Sequence, residues 1–172
     1  MSEAKVAGAS DLLNTILGIG EESPLAALRA QRADIASYIQ ASYDGLLEPA
    51  DKAGVSRGER GLIALRVAIL DESAPLIAHY RAYVAQQNVD SALVAAAEGA
   101  TLAAPLTPRL RAVLTHVDRL TNEPELASPD HLADLKAQGL SDANIVTISQ
   151  LISFVSFQVR TVAGLQLLGE GL

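Results

Sequence analysis

The sequence contains no cysteine. That absence removes disulfides, thiolate nucleophiles and cysteine-ligated zinc together, so no redox step can run through a thiol of this chain. Tryptophan is also missing, and aromatic residues make up only 3% of the chain. Aromatic and β-branched runs favour strands, whereas the abundant Ala and Leu lose little entropy in a helix, so an all-α fold is expected. Basic residues number 13 against 20 acidic ones, for a formal charge of -7, and they are scattered. No patch could neutralise a phosphate backbone, which excludes nucleic acid as a partner. His79, His116 and His131 are too far apart in sequence to form an H-x-x-x-H or H-x-x-E pair, so no metal is expected. No phosphate loop, dinucleotide fingerprint or nucleophile elbow is present, and no cofactor is expected either.

Long apolar runs are equally scarce. Ser2, Glu3, Asp11 and Asn14 break up the start of the chain, which lacks the pattern of a secretory signal. A cytoplasmic location is expected. The stretch from Ile145 to Leu168 is apolar, but Gln150, Gln158, Arg160 and Gln166 are costly in hydrocarbon, so it reads as a core helix with no membrane partner.

What is present organises the chain as one domain over residues 1–172, with 1–22 as an N-terminal extension, 24–99 as a first half and 105–172 as a second. After a short segment at Asp11 to Leu17, Ser23 and Pro24 cap a helix expected to run to about Leu46. Its apolar face would be Leu25, Leu28, Ile35 and Ile39, and Gly45 with Pro49 would mark its end. Ser56 and Glu59 form a capping box for a helix apolar on most sides, from Leu62 to Leu70. Asp71, Glu72 and Ser73 interrupt it, and Pro75 opens a second helix to about Gln87, giving a helical hairpin. Asp90 or Ser91, Thr107, Ser128 and Ser141 cap the remaining helices, with stops at Gly99 and Gly139; the last helix is the longest. Ser56, Arg60, Leu62 and Ile63 are echoed in order by Thr107, Arg111, Val113 and Leu114.

The segment from Ser56 to Val84, SRGERGLIALRVAILDESAPLIAHYRAYV, resembles the core of the alkylhydroperoxidase D (AhpD) and carboxymuconolactone decarboxylase family. Leu106 to Thr121, Gly139 to Val146 and Ser153 to Leu165 fit its peroxidase-related branch. The resemblance implies an AhpD-like multi-helix bundle with helical hairpins and a long C-terminal helix. Redox members carry a Glu at the head of the first helix, then C-x-x-C, then a His four residues after the second Cys. One thiol attacks peroxide, the other resolves the sulfenic acid, and Glu and His relay protons. Counted back from His79, the cysteine positions hold Glu72 and Pro75; aligned on Leu62, Ile63 and Ala64, the Glu position holds Gly61. The two anchors differ by one residue, which implies a deletion in the turn from Asp71 to Ser73.

His79 is therefore the leading catalytic candidate, since imidazole titrates near neutral pH; the alternative is a packing histidine. Glu72 offers a carboxylate in place of a thiol, or else a solvated turn acid. Glu59 offers proton transfer, although the capping box already explains it. Arg66, in the middle of an apolar helix, is expected to pair with Glu59, Glu72 or a substrate carboxylate. Tyr83, one turn beyond His79, would bond it or wall its pocket. Arg160 is expected to form a salt bridge, and His116 and His131 read as helix-surface residues. Two functions follow: acid-base chemistry on, or binding of, a small organic acid or lactone near His79, or a degenerate partner subunit for a cysteine-bearing homologue. In either case a homo-oligomer of dimers, trimers or multiples is expected, with Phe154 and Phe157 in its interface.

Overall fold

The computed structural model describes residues 11–52, 54–102 and 105–172. The first ten residues of the expected N-terminal extension lie outside them. Among the described residues there are nine α-helices and no strand: α1 (Leu12–Leu17), α2 (Pro24–Ala30), α3 (Ala33–Leu47), α4 (Arg57–Leu70), α5 (Ala74–Gln86), α6 (Ser91–Glu98), α7 (Pro108–Asn122), α8 (Pro129–Ala137) and α9 (Asp142–Glu170). The caps lie where the sequence places them. Ser23, Ser56, Asp90, Thr107 and Ser141 each accept a backbone N–H of the first turn.

Helix α4 is the axis of the bundle. Every residue from Arg60 to Ala68 is buried, and α3, α5, α6, α7 and α9 all pack on it. Such a helix cannot be amphipathic, which accounts for the wide apolar arc in its sequence. Among the described residues only α9 is long and apolar enough to cross a membrane by length and composition. Its stripe of Ile145, Ile148, Ile152, Val155 and Val162 is spent instead on the protein core. Residues from Asp11 belong to that core as well, because Leu13 is fully buried and α1 packs on α3, α5 and α9.

The single helix expected from Pro24 to Leu46 is instead two. Arg32 leaves helical geometry at φ -129° and ψ 55°, and the Arg29 guanidinium ties α2 to α1 through Asp11 at 2.5 Å and Asn14 at 2.6 Å. That anchor sets the direction of α2, and the break lets α3 turn Ile39, Tyr43 and Leu47 into the core at i, i+4 and i+8. The expected common face is lost: Leu28 and Ile35 are left exposed, while Leu25 and Ile39 are buried. Gly45 lies inside α3 rather than at its end.

Four helices stop in one way. At Gly18, Glu72, Asn88 and Gly139 the backbone turns to positive φ, and the next residue's N–H bonds back five positions, as in Ser73 to the Ala68 carbonyl at 2.9 Å. Glycine and asparagine suit this left-handed position; glutamate does not. Glu72 has φ 53° and an exposed side chain. Glu72→Gly is therefore expected to stabilise the fold by about 1 kcal/mol. Urea unfolding should show a higher midpoint at unchanged slope; a lower midpoint would mean that the carboxylate has a structural role.

Candidate functional site

Pro75 starts α5, and the 3.6-residue repeat then buries Leu76, Tyr80 and Tyr83 while holding His79 half-buried. His79 Nε2 lies 3.1 Å from the Tyr43 hydroxyl, and its ring meets Tyr43 at 5.6 Å and Tyr80 edge-on at 5.0 Å between centroids. Burial pushes the imidazole below its ordinary 6.5. Burial, reinforced by Glu48 and Asp44, pushes the Tyr43 phenol up to about 12. A neutral phenol thus faces a neutral imidazole, and His79 can accept the Tyr43 proton at Nε2. Tyr80 is fully buried and donates to Gln158 Oε1, while burial holds its phenol well above the usual value. Gln158 Nε2 is left buried without a hydrogen-bond partner. Exchanging the amide O and N would leave Gln158 Oε1 and the Tyr80 hydroxyl proton unmatched instead, so a deficit stays with the Tyr80 and Gln158 pair whichever way the amide is placed.

Tyr83 does not reach His79. Its hydroxyl donates to the Leu47 carbonyl at 2.8 Å, and burial followed by Glu48 raises its pKa. Its ring covers the position where the resemblance puts the relay Glu. A Cβ built on Gly61 would come within 2.7 Å of Val84 Cγ1 and 2.9 Å of Tyr83 Cδ1, closer than real contacts allow. Position 61 has no room for a methyl group, and still less for a carboxylate. Glu72, which the count back from His79 puts at the first cysteine position, is exposed as the left-handed cap of α4.

Arg66 is buried, but not beside the partners expected from sequence. It grips Asp118 on α7 with Nε at 2.6 Å and Nη2 at 2.9 Å, while Nη1 donates to the carbonyls of Ala97 and Gly99. Its donors are committed to the fold, which removes it as a substrate clamp. Glu59 closes the capping box with the Ser56 N–H at 2.9 Å and also pairs with Arg109 of α7. Arg160 forms no ion pair among the described residues; it is exposed and bonds the Ser156 carbonyl. Its charge only partly offsets the burial that raises the Asp71 carboxyl. His116 is buried, not on the surface, with Nε2 3.3 Å from Ser149 Oγ, and His131 is half-buried as part of the α8 cap. Phe154 is buried while its stacked neighbour Phe157 is 46% exposed.

Nothing in the sequence marks Tyr43 or Asp118 as a site residue, and Gln158 and Arg60 stand out in it only as a polar break in the last helix and as part of the internal echo. Tyr43 was within reach, since it continues the Ile39 stripe at i+4, and Gln158 interrupts an apolar stripe in the same manner as Arg66. Asp118 lies 52 residues from Arg66, and no local pattern links them. As built, the cluster offers one neutral base, His79, steered by a phenol rather than a carboxylate. Among the described residues no group of three or more His, Asp or Glu side chains could hold a metal ion.

A helical bundle around a central hairpin, with a histidine on the second helix, defines an AhpD-like fold without its thiols. Solved structures agree. An uncharacterised peroxidase-related protein from Silicibacter sp. TM1040 matches with a TM-score of 0.71 and 21% identity over 77% of this chain and 69% of its own. A second such protein, an alkylhydroperoxidase AhpD core from Ralstonia eutropha JMP134, matches with a TM-score of 0.71 and 18% identity over 78% and 70%. A protein of unknown function from Agrobacterium tumefaciens, with a proposed AhpD antioxidant-defence role, matches with a TM-score of 0.70 and 20% identity over 80% and 91%. No protein-family model and no curated protein matches the sequence.

Two measurements probe this site. Gly61→Ala should destabilise the protein by about 1–3 kcal/mol through overpacking, despite the better helix propensity of alanine. Gly164→Ala on α9, where an added Cβ meets nothing within 4 Å, should stabilise it by up to about 1 kcal/mol. Equal effects at the two positions would refute the packing described at Gly61. The depressed His79 pKa means that the unfolded chain binds a proton the folded chain refuses. Its contribution is complete above the ordinary 6.5 and is lost as pH falls towards the folded value. His79→Gln should therefore flatten the loss of stability between about pH 7 and pH 5. An unchanged profile would show that His79 titrates as it does in water.

Proposed function

We propose that this chain is a catalytically silent AhpD-fold protein of the cytoplasm that acts by association, both with copies of itself and as a partner subunit for a cysteine-bearing homologue. One observation carries the reading. Four of the polar groups that the sequence offers for chemistry are engaged by the fold, Arg66 by Asp118, Glu59 by its cap and Arg109, Tyr83 by Leu47 and His79 by Tyr43, while the fifth, Glu72, is exposed at the α4 cap. Turnover of an organic acid or lactone at His79 would need a cation to hold the acid, and Arg66 is not available for that role. Self-association is supported by α9, which leaves Val146, Phe157, Leu167 and Leu168 exposed along its outer side.

The pure protein should consume no peroxide above a control containing reductant alone, because a thiol cycle needs a sulfur to oxidise and the single Met is the chain's only sulfur-bearing residue. Sedimentation equilibrium should give a multiple of 18.0 kDa, and Phe157→Glu should shift the mass towards a single chain. A wild-type species at the mass of one chain, or peroxide turnover in a metal-free preparation, would overturn the reading.

A further inference from the structure

The α7 and α8 helices meet across a cleft far in character from the His79 cluster, with a volume of about 570 Å³. That is within the roughly 300–1,000 Å³ of small-molecule sites. Its α7 wall carries Arg111, His116 and Arg119, its α8 wall carries His131, and Ala112 and Leu135 contribute apolar floor. One carboxylate, Asp134, lies in the cleft, and it forms no ion pair with either arginine among the described residues. In a chain of formal charge -7, a concave site lined by two arginines against one acid is a local reversal of sign, and its two neutral imidazoles add hydrogen-bonding groups rather than charge.

The side chains there are not equivalent. Arg111 is part of the scaffold, since its Nη1 donates to the Leu102 carbonyl. The Arg119 guanidinium has no hydrogen bond or ion pair among the described residues, although Asp118 and Glu123 are its neighbours on the side away from the cleft. The Ser128 N–H donates to His131 Nδ1 at 3.1 Å, which makes that nitrogen an acceptor and leaves the proton of the neutral ring on Nε2. The ring is thereby held as a donor by the same bond that caps α8. Burial, and then the nearby His131, holds the His116 imidazole below its usual value. Arg111 and Arg119 are eight residues apart, about 12 Å along the helix axis.

We infer that this cleft is a binding site for a small organic anion, an elongated carboxylate or phosphate-bearing molecule whose charged end is taken by Arg119 with the two histidines while its apolar body lies over Ala112 and Leu135. Nothing in the AhpD-like resemblance points to this location, and the site is independent of whether the His79 cluster is silent.

The chain's three histidines allow a direct test, because two line the cleft and His79 serves as an internal reference. The protein is titrated at constant pH with inorganic phosphate and, separately, with the α,ω-dicarboxylates from succinate to suberate, following the imidazole resonances by NMR. At least one probe should shift His116 and His131 and leave His79 in place. The same probe should bind about tenfold more weakly to Arg119→Gln, a substitution that removes no internal bond, and unchanged to Arg81→Gln, which alters a surface pair elsewhere. A response to phosphate alone would assign the site to a phosphate-bearing ligand; a response that grows with chain length would assign it to a carboxylate with an apolar body. Silence of both rings up to about 10 mM, or equal binding to wild type and Arg119→Gln, overturns the inference.

Discussion

Two guanidinium groups buried in one helix hold this bundle together. Arg60 and Arg66 are each only 2% exposed, and a buried cation is tolerated only where its donors are met. Arg60 meets the carbonyls of Leu46, Lys52 and Val55, and so fixes the loop that enters α4. Arg66 meets Asp118, Ala97 and Gly99, and so fixes α7 and the end of α6. The apolar core alone would let these helices slide. The two arginines demand acceptors at particular places, so they set the register of the chain on both sides of α4. That requirement also explains why Arg66 cannot serve a ligand: its desolvation is offset only by the groups it already holds.

The internal echo has a physical counterpart in this scheme. Arg111 occupies in α7 the place that Arg60 occupies in α4, four residues into a helix whose cap hydroxyl accepts the third N–H. Both reach back to carbonyls of the chain that leads into their helix. The pattern of cap, arginine and apolar pair therefore describes one device used twice, a helix that clamps its own approach. The second use leaves Arg111 at the rim of the α7 and α8 cleft.

Much of this was legible from residues alone. Cap residues act within three positions of themselves, so Ser23, Ser56, Asp90, Thr107 and Ser141 could be placed without tertiary knowledge, and the apolar circumference of α4 announced its burial. The break at Arg32 was not legible, because it depends on Arg29 reaching α1, a contact between elements. The same limit governs the site. His79 and the absence of thiols are legible in the sequence, whereas the partner Tyr43 lies 36 residues away on another helix. His116 reads from local polarity as a surface residue, yet it is buried because α9, which covers it, begins 26 residues later.

The packing at Gly61 bears on how such a chain can change over time. An acid at that position is compatible only with smaller groups at Tyr83 and Val84, while those two side chains are compatible only with glycine there. Neither half of the exchange is tolerable by itself, since one order of substitution creates a clash and the other an empty space next to α4. Introducing thiols at the turn before α5 would therefore not supply the proton relay implied by the AhpD-like resemblance. The present arrangement is entrenched by sterics: with the Tyr83 ring in this space, position 61 can change only together with its two neighbours, which is epistasis written into the packing.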